Sequence, residues 1–160
     1  MSQTKLTDTE KSKLLSLIRP HIDPKVFHLG SDRTEVARFD KREKMYGGKG
    51  TVYLLQMFED SELVNNRIGA FMVLPTDQDS AGFHTHGTRQ EQEIYMVVHG
   101  EGEYLEKDAW ESKERAYPVK KGNLTTVRGS AFHSVRNTGK EPLIIFVITT
   151  NEPQPPNARS

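Results

Sequence analysis

Hydrophobic positions change their spacing along this chain. Between Thr7 and Ile18 they follow a helical period: Leu14, Leu15, Leu17 and Ile18 form a short stripe, Thr7 and Glu10 have capping-box spacing, and Pro20 ends the run. The pattern predicts one helix over 7–18. Residues 23–44 are mixed and polar, with a short strand expected over 35–39. From Thr51 the texture becomes short apolar or alternating segments. Strands are predicted over 51–58, 69–74, 82–86, 93–98, 101–106, 116–119, 124–128, 132–136 and 143–149. Gly87, Gly100, Gly122, Gly129 and Gly139 fall between or beside them, and Pro75 and Pro142 flank two more. After the first helix no segment is long enough for a crossover helix, so the strands must pair antiparallel in a sandwich or barrel. Residues 143–148 are nearly all apolar, which predicts a strand buried on both sides or covered on one side by a partner subunit. The expected division is an N-terminal extension over 1–50, holding the helix and a possible dimerisation strand, a barrel over 51–150, and a flexible polar tail over 151–160.

Composition narrows the function. A chain of 160 residues fits one domain, and 34% hydrophobic against 28% charged residues still allows a core. Lys and Arg total 22, as do Asp and Glu, so the global positive field that draws nucleic acid is missing. The chain has no cysteine, which removes disulfides, Cys-based zinc sites, Fe–S clusters and thiol catalysis. No apolar run approaches the roughly 18 residues of a membrane span. The first residues, MSQTKLTDTEKSK, lack the apolar core of a signal peptide. A cytoplasmic location and a small polar molecule as partner are expected, with neither nucleic acid nor membrane.

The candidate chemistry is in the histidines. In a strand, residues i and i+2 share a face, so FHTH points His84 and His86 the same way with Thr85 opposed. The strand EIYMVV follows, and its alternation places Glu93, Tyr95, Val97 and His99 on one face. His133 lies in AFHSVRN. Three imidazoles and one carboxylate form a donor set for divalent Mn, Fe, Ni, Co or Zn. One carboxylate leaves about one positive charge on such an ion, enough to polarise a substrate oxygen. An HxH pair that merely faces solvent is the plain alternative.

The stretch from Gly82 to Gly100, GFHTHGTRQEQEIYMVVHG, resembles the first motif of the cupins, which are double-stranded β-helix (jelly-roll) barrels. The stretch from Gly122 to Asn137, GNLTTVRGSAFHSVRN, resembles their second. The resemblance implies an all-β cupin barrel with a short N-terminal helix, and His84, His86, Glu93 and His133 as ligands to a divalent metal. Six residues separate His86 from Glu93, where the family usually has three or four. Glu91 lies closer to that interval but at the wrong distance from Gly100. Arg128 stands where the family has a proline, which implies a reshaped turn and an arginine that enters the pocket. The longer interval is similar to that of cupin-type phosphoglucose isomerases, where HxH is followed by an insert and ExY, matched here by Glu93 and Tyr95. NTGKEP, after His133, resembles the segment that follows their last ligand, although RGSAF replaces their aromatic, proline-rich turn. No upstream phosphate-binding stretch is evident, which leaves Arg67, Lys49 and Arg128 as the cations available for one.

Other residues carry two readings each. Tyr95 either donates a proton or lines the barrel. His99 shares the face of Glu93 but sits toward the opposite mouth. Glu91 is a general base beside the metal or a solvated loop carboxylate, and Arg89 a lid residue or an exposed one. KREKMYGGKG, over 41–50, reads as a surface turn because no strand and helix frame it as a phosphate loop. Trp110 covers one side of a hairpin.

The resulting expectation is a metal-dependent enzyme acting on a small hydroxy-carbonyl or sugar-like compound. Its chemistry would be redox-neutral isomerisation, epimerisation or elimination, with Glu91, Tyr95 and Arg128 as catalytic residues. An Fe(II) dioxygenase using the same ligands and a non-catalytic small-molecule-binding cupin are the alternatives. A homodimer with two-fold symmetry is expected, with contacts through the N-terminal helix and first strands.

Overall fold

The computed structural model describes residues 3–28, 31–33 and 36–153. Among the described residues thirteen strands and one α-helix follow in order: β1 (Gln3–Lys5), α1 (Asp8–Ile18), β2 (Val26–His28), β3 (Ser31–Arg33), β4 (Arg38–Glu43), β5 (Thr51–Gln56), β6 (Gly69–Leu74) and β7 (Ser80–Thr85). After these come β8 (Glu91–His99), β9 (Glu101–Lys107), β10 (Arg115–Lys120), β11 (Leu124–Val127), β12 (Phe132–Asn137) and β13 (Leu143–Asn151). A seven-stranded sheet in the order β1-β4-β5-β6-β13-β8-β11 faces a four-stranded sheet in the order β10-β9-β12-β7. Every pairing is antiparallel. This is the expected all-β jelly roll with its short N-terminal helix. No helix among the described residues is long and apolar enough to cross a membrane.

Alternation divides the core into two. The inner faces supply Val52, Leu54, Met72, Leu74, Val97, Val135, Leu143, Ile145 and Val147 to the barrel interior. The outer face of the seven-stranded sheet supplies Leu55, Val73 and Ile144 to a second cluster with Leu14 and Ile18 of α1. Thus β13 is buried on both sides, and its outer side is covered by the chain's own helix. That helix starts at the expected capping box: Thr7 Oγ1 accepts from Glu10 N, and Glu10 Oε2 accepts from Thr7 N. Pro118 sits in β10, an edge strand of its sheet, where its missing N–H interrupts nothing essential.

The N-terminal region departs from the sequence reading. Of the strand expected over 35–39, residue 35 lies outside the described residues and the rest is displaced: β4 runs from Arg38 to Glu43 and extends the large sheet beyond β5. β1 pairs with β4 at its edge, and β2 and β3 pair with each other in a separate two-stranded sheet. Three-residue strands are too short to show a period, and their pairing is a tertiary signal that periodicity does not carry. At the other end β13 takes in Asn151, and residues 154–160 lie outside the described residues.

Removing the contact between α1 and the sheet tests this architecture. Ile18→Ala, at a fully buried position, is expected to cost about 2–5 kcal/mol in urea denaturation while leaving the metal content of the folded protein unchanged. A loss of metal at full stability would contradict the separation of the two clusters.

Candidate metal centre

Strand register brings the ligands together. His84 and His133 are direct cross-strand partners between β7 and β12. Glu93 is on β8 in the facing sheet, opposite Val127 of β11 and Thr149 of β13. His86 lies just beyond β7, where the chain passes from one sheet to the other. The six-residue interval is filled by a 3₁₀ turn, Gly87–Arg89, and by Gln90 in the left-handed region at φ 52°. Glu91 N then donates back to His86 O at 3.2 Å. The insertion is absorbed in this turn, so Glu93 still faces His86.

The four side chains are buried: His84 is 8% exposed, His86 1%, Glu93 5% and His133 1%. Their ligating atoms crowd one point. Glu93 Oε2 lies 2.9 Å from His86 Nε2, 3.1 Å from His133 Nε2 and 3.8 Å from His84 Nε2. His133 Nε2 is 3.0 Å from His84 Nε2 and 3.1 Å from His86 Nε2. Neighbouring donors at the corners of a polyhedron with bonds of about 2.1 Å are separated by similar distances.

The His84 tautomer supports the same reading. His84 Nδ1 is 2.9 Å from Gly82 O, an acceptor, so it carries the proton and Nε2 presents its lone pair to the site. Two groups approach His86 Nδ1: Glu91 Oε2 at 3.4 Å and the Arg89 guanidinium at 3.2 Å. Donation to Glu91 is the arrangement that leaves Nε2 free to ligate. Glu93 Oε2 closes no hydrogen bond, although three Nε2 atoms surround it. Buried lone pairs facing one another repel unless a cation lies between them, and this donor set fits a divalent metal ion.

Burial acts on each group. Burial raises the Glu93 pKa, but the His133, His84 and His86 imidazoles outweigh it and hold the carboxyl well below the usual range. Burial pushes His133 down to about 4, helped by the neighbouring imidazoles and opposed by Glu93. Both groups are therefore in their ligating forms at neutral pH. Burial raises the Tyr95 phenol well above its usual value, and the negative charge of Glu93 raises it further. Tyr95 lines the site, 5.2 Å between ring centres from His133, as a protonated donor.

Several expectations are corrected. Glu91 is neither a free base nor a solvated loop group. Its carboxylate, 2% exposed, accepts from Arg67 Nε at 2.5 Å, Arg67 Nη2 at 3.1 Å and Arg89 Nε at 3.1 Å. Burial alone would raise its pKa, but the two guanidiniums outweigh this and lower it. A carboxylate so held is a poor proton acceptor; it orients His86 instead. Arg67 and Arg89 are thereby committed to Glu91, and neither is an unpaired phosphate-binding cation or a lid. Arg128 is exposed just beyond β11, and Lys49 is exposed as well. His99 does not share the face of Glu93. The β8–β13 ladder shifts register between Ile144 and Ile145, pairing Ile144 with His99 but Ile145 with Val97. This bulge turns His99 to the outer face, where its ring stacks on His21 at 3.6 Å. Trp110 packs against Phe132, as expected of a residue covering a hairpin.

Two residues escaped the sequence reading. The 41–50 segment is more than a surface turn: its 3₁₀ piece, Met45–Gly47, folds over β7 and lays the Tyr46 ring on His84 at 3.9 Å. Backbones meet there closely enough that a Cβ on Gly82 would stand 2.2 Å from Tyr46 O. The glycines of GGKG and GFH were the only signal. Tyr104 is the second; its buried hydroxyl, near Thr125, closes no hydrogen bond, and its ring lies 5.7 Å from His133.

His86→Ala is expected to remove the one equivalent of metal held in the barrel from protein purified without an affinity tag, read by elemental analysis against the wild type. Glu91→Gln should keep the metal but weaken it about 10–100-fold, the usual effect of losing a carboxylate behind a ligating imidazole. Without metal, stability should fall as pH drops from about 6.5 to about 4. Across that interval the unfolded chain binds a proton on residue 133 that the folded chain refuses. His133→Asn should flatten this slope in urea midpoints measured across the range.

Comparison with known proteins agrees with this geometry. A family model described as the Cupin domain matches residues 70–149. No curated protein matches the chain. Among solved structures, a predicted oxalate decarboxylase from Thermotoga maritima is 27% identical, over 71% of this chain and 92% of that one, with a TM-score of 0.62. The oxalate decarboxylase of Lactobacillus farciminis, solved with formate, is 19% identical over 69% of this chain and 30% of that one, at 0.53. The cupin domain of Cnp3 from Schizosaccharomyces pombe is 12% identical over 63% of this chain and 61% of that one, at 0.52. With the family model spanning half the chain, and both sheets and the buried three-histidine, one-glutamate cluster in place, the chain belongs to the cupin family.

Proposed function

We propose that this protein is a metal-dependent enzyme for a small polar compound offering two adjacent oxygens, a hydroxy-carbonyl compound or a short dicarboxylate, and that its chemistry is redox-neutral. The observation that carries the reading is the convergence of His84, His86, Glu93 and His133 on one buried point. A divalent ion held there supplies a Lewis acid that polarises substrate oxygen. The protein's own side chains set the rest. Glu91, fixed by Arg67 and Arg89, holds the His86 ring in its ligating orientation. Tyr95 and Tyr104, both kept protonated by burial, are hydrogen-bond donors for an oxygen that gains negative charge. Tyr46 covers His84. Leu54, Met72, Val97, Ile145 and Val147 fill the barrel beyond, which favours a compound of few atoms.

The dicarboxylate enters because the Thermotoga maritima relative carries the name predicted oxalate decarboxylase. The decisive experiment is a turnover screen of hydroxy acids, sugar phosphates and oxalate with metal-loaded protein, under air and under argon. Turnover equal in both atmospheres and lost in His86→Ala is expected. Oxygen uptake coupled to substrate loss would replace this reading with a dioxygenase. Tight binding without conversion would make the protein a ligand-binding cupin.

Tyr104→Phe should lower kcat about tenfold or more while metal content stays stoichiometric, consistent with a donor acting on developing charge. An unchanged kcat would remove Tyr104 from the site.

A further inference from the structure

A second convergence of ligating groups lies outside the barrel. His21 follows α1 on a turn whose backbone is tied down, its N–H donating to Ile18 O at 2.9 Å. His99 is carried outward by the bulge in β8, and the two rings lie face to face, 3.6 Å apart and 15° from parallel. Glu141, in the turn before β13, places Oε2 3.5 Å from His99 Nε2. One ligating atom from each of the three residues lies within 4.8 Å of the others. His99 Nε2 is buried and closes no hydrogen bond. A buried ring nitrogen that closes no hydrogen bond is uncommon in a folded protein, and this one stands beside the Glu141 carboxylate.

We propose that His21, His99 and Glu141 form a second site, for a divalent transition-metal ion of which zinc is the best fit. Two imidazoles and one carboxylate suit zinc, whereas calcium and magnesium prefer all-oxygen sites. Burial and the neighbouring His21 keep His99 toward its neutral, ligating form. The approach to coordination requires only side-chain rotation of His21 and Glu141, which are partly or fully exposed. His99 and Glu141 also line a cleft of about 650 Å³ with Gly100, Lys121 and Lys140, which has room for water or a small anion beside a bound ion. The site joins three segments distant in sequence: the end of α1, the β8–β9 hairpin and the turn before β13. An ion bound there favours the folded chain and pins the helix to the closed end of the barrel. None of its residues touches the barrel centre, so the two sites load independently.

The test is a calorimetric zinc titration of protein whose barrel occupancy has been measured by elemental analysis, with thermal denaturation read in parallel. One equivalent beyond the barrel metal is expected, with a rise in Tm. His21→Ala should remove that equivalent and the rise while keeping the barrel metal, and Glu141→Gln should weaken zinc tenfold or more. In His86→Ala the outer equivalent should persist. Failure of the wild type to take up additional zinc, or its undiminished uptake by both His21→Ala and His99→Gln, would overturn the proposal.

Discussion

The structure depends on one electrostatic constraint: three imidazole nitrogens and a carboxylate oxygen are packed about 3–4 Å apart, buried from solvent. Such a cluster is unfavourable by itself, because each group loses hydration and the lone pairs face one another. The surrounding fold is arranged to hold it. His84 is fixed through Gly82 O, His86 through Glu91, and Glu91 through two guanidiniums. Strands in two facing sheets keep the four groups from separating, and a cation between them would convert the repulsion into attraction.

The same arrangement accounts for the unusual spacing after the HxH pair. A longer insert would move the ligating carboxylate if the chain stayed extended. Here the added residues form a tight turn, and the first carboxylate after it stands behind His86 rather than beside it. Glu91 and Glu93, two residues apart on one strand face, thus serve different ends. Arg67 and Arg89 neutralise the first, and the histidines surround the second. The chemistry open to the site follows from this division, since the buried donors left to act on a bound compound are phenols, not a free carboxylate.

The outer layer shows how strand irregularity creates chemistry. Without the bulge near Val97, His99 would continue the inward series begun by Glu93, Tyr95 and Val97. With it, the ring leaves the barrel and meets His21 on the turn that follows α1. The helix is therefore attached to the large sheet twice, through the apolar contacts of Leu14 and Ile18 and through the stacked histidines.

The strands that build the barrel, the helix with its capping box and the His84/His86 pair were legible in the chain, because alternation, turn glycines and i, i+2 histidines are local signals; Glu93 and His133 joined that pair through the resemblance to the cupin motifs. Glu93 was distinguishable from Glu91 only through its spacing to Gly100. The roles of Glu91, Arg67 and Arg128 were not legible: an ion pair between residues 67 and 91 has no sequence period, and a residue after a turn points wherever that turn sends it. Nor was the face of His99, since one extra residue in a ladder reverses alternation without changing the pattern of residue types. The amino-acid order by itself therefore determined which residues have the chemistry to bind a metal and which faces they favour. Tertiary packing decided which charges neutralise one another, where Tyr46 and Tyr104 stand and which histidine leaves the barrel, because those outcomes depend on contacts between segments far apart in the chain.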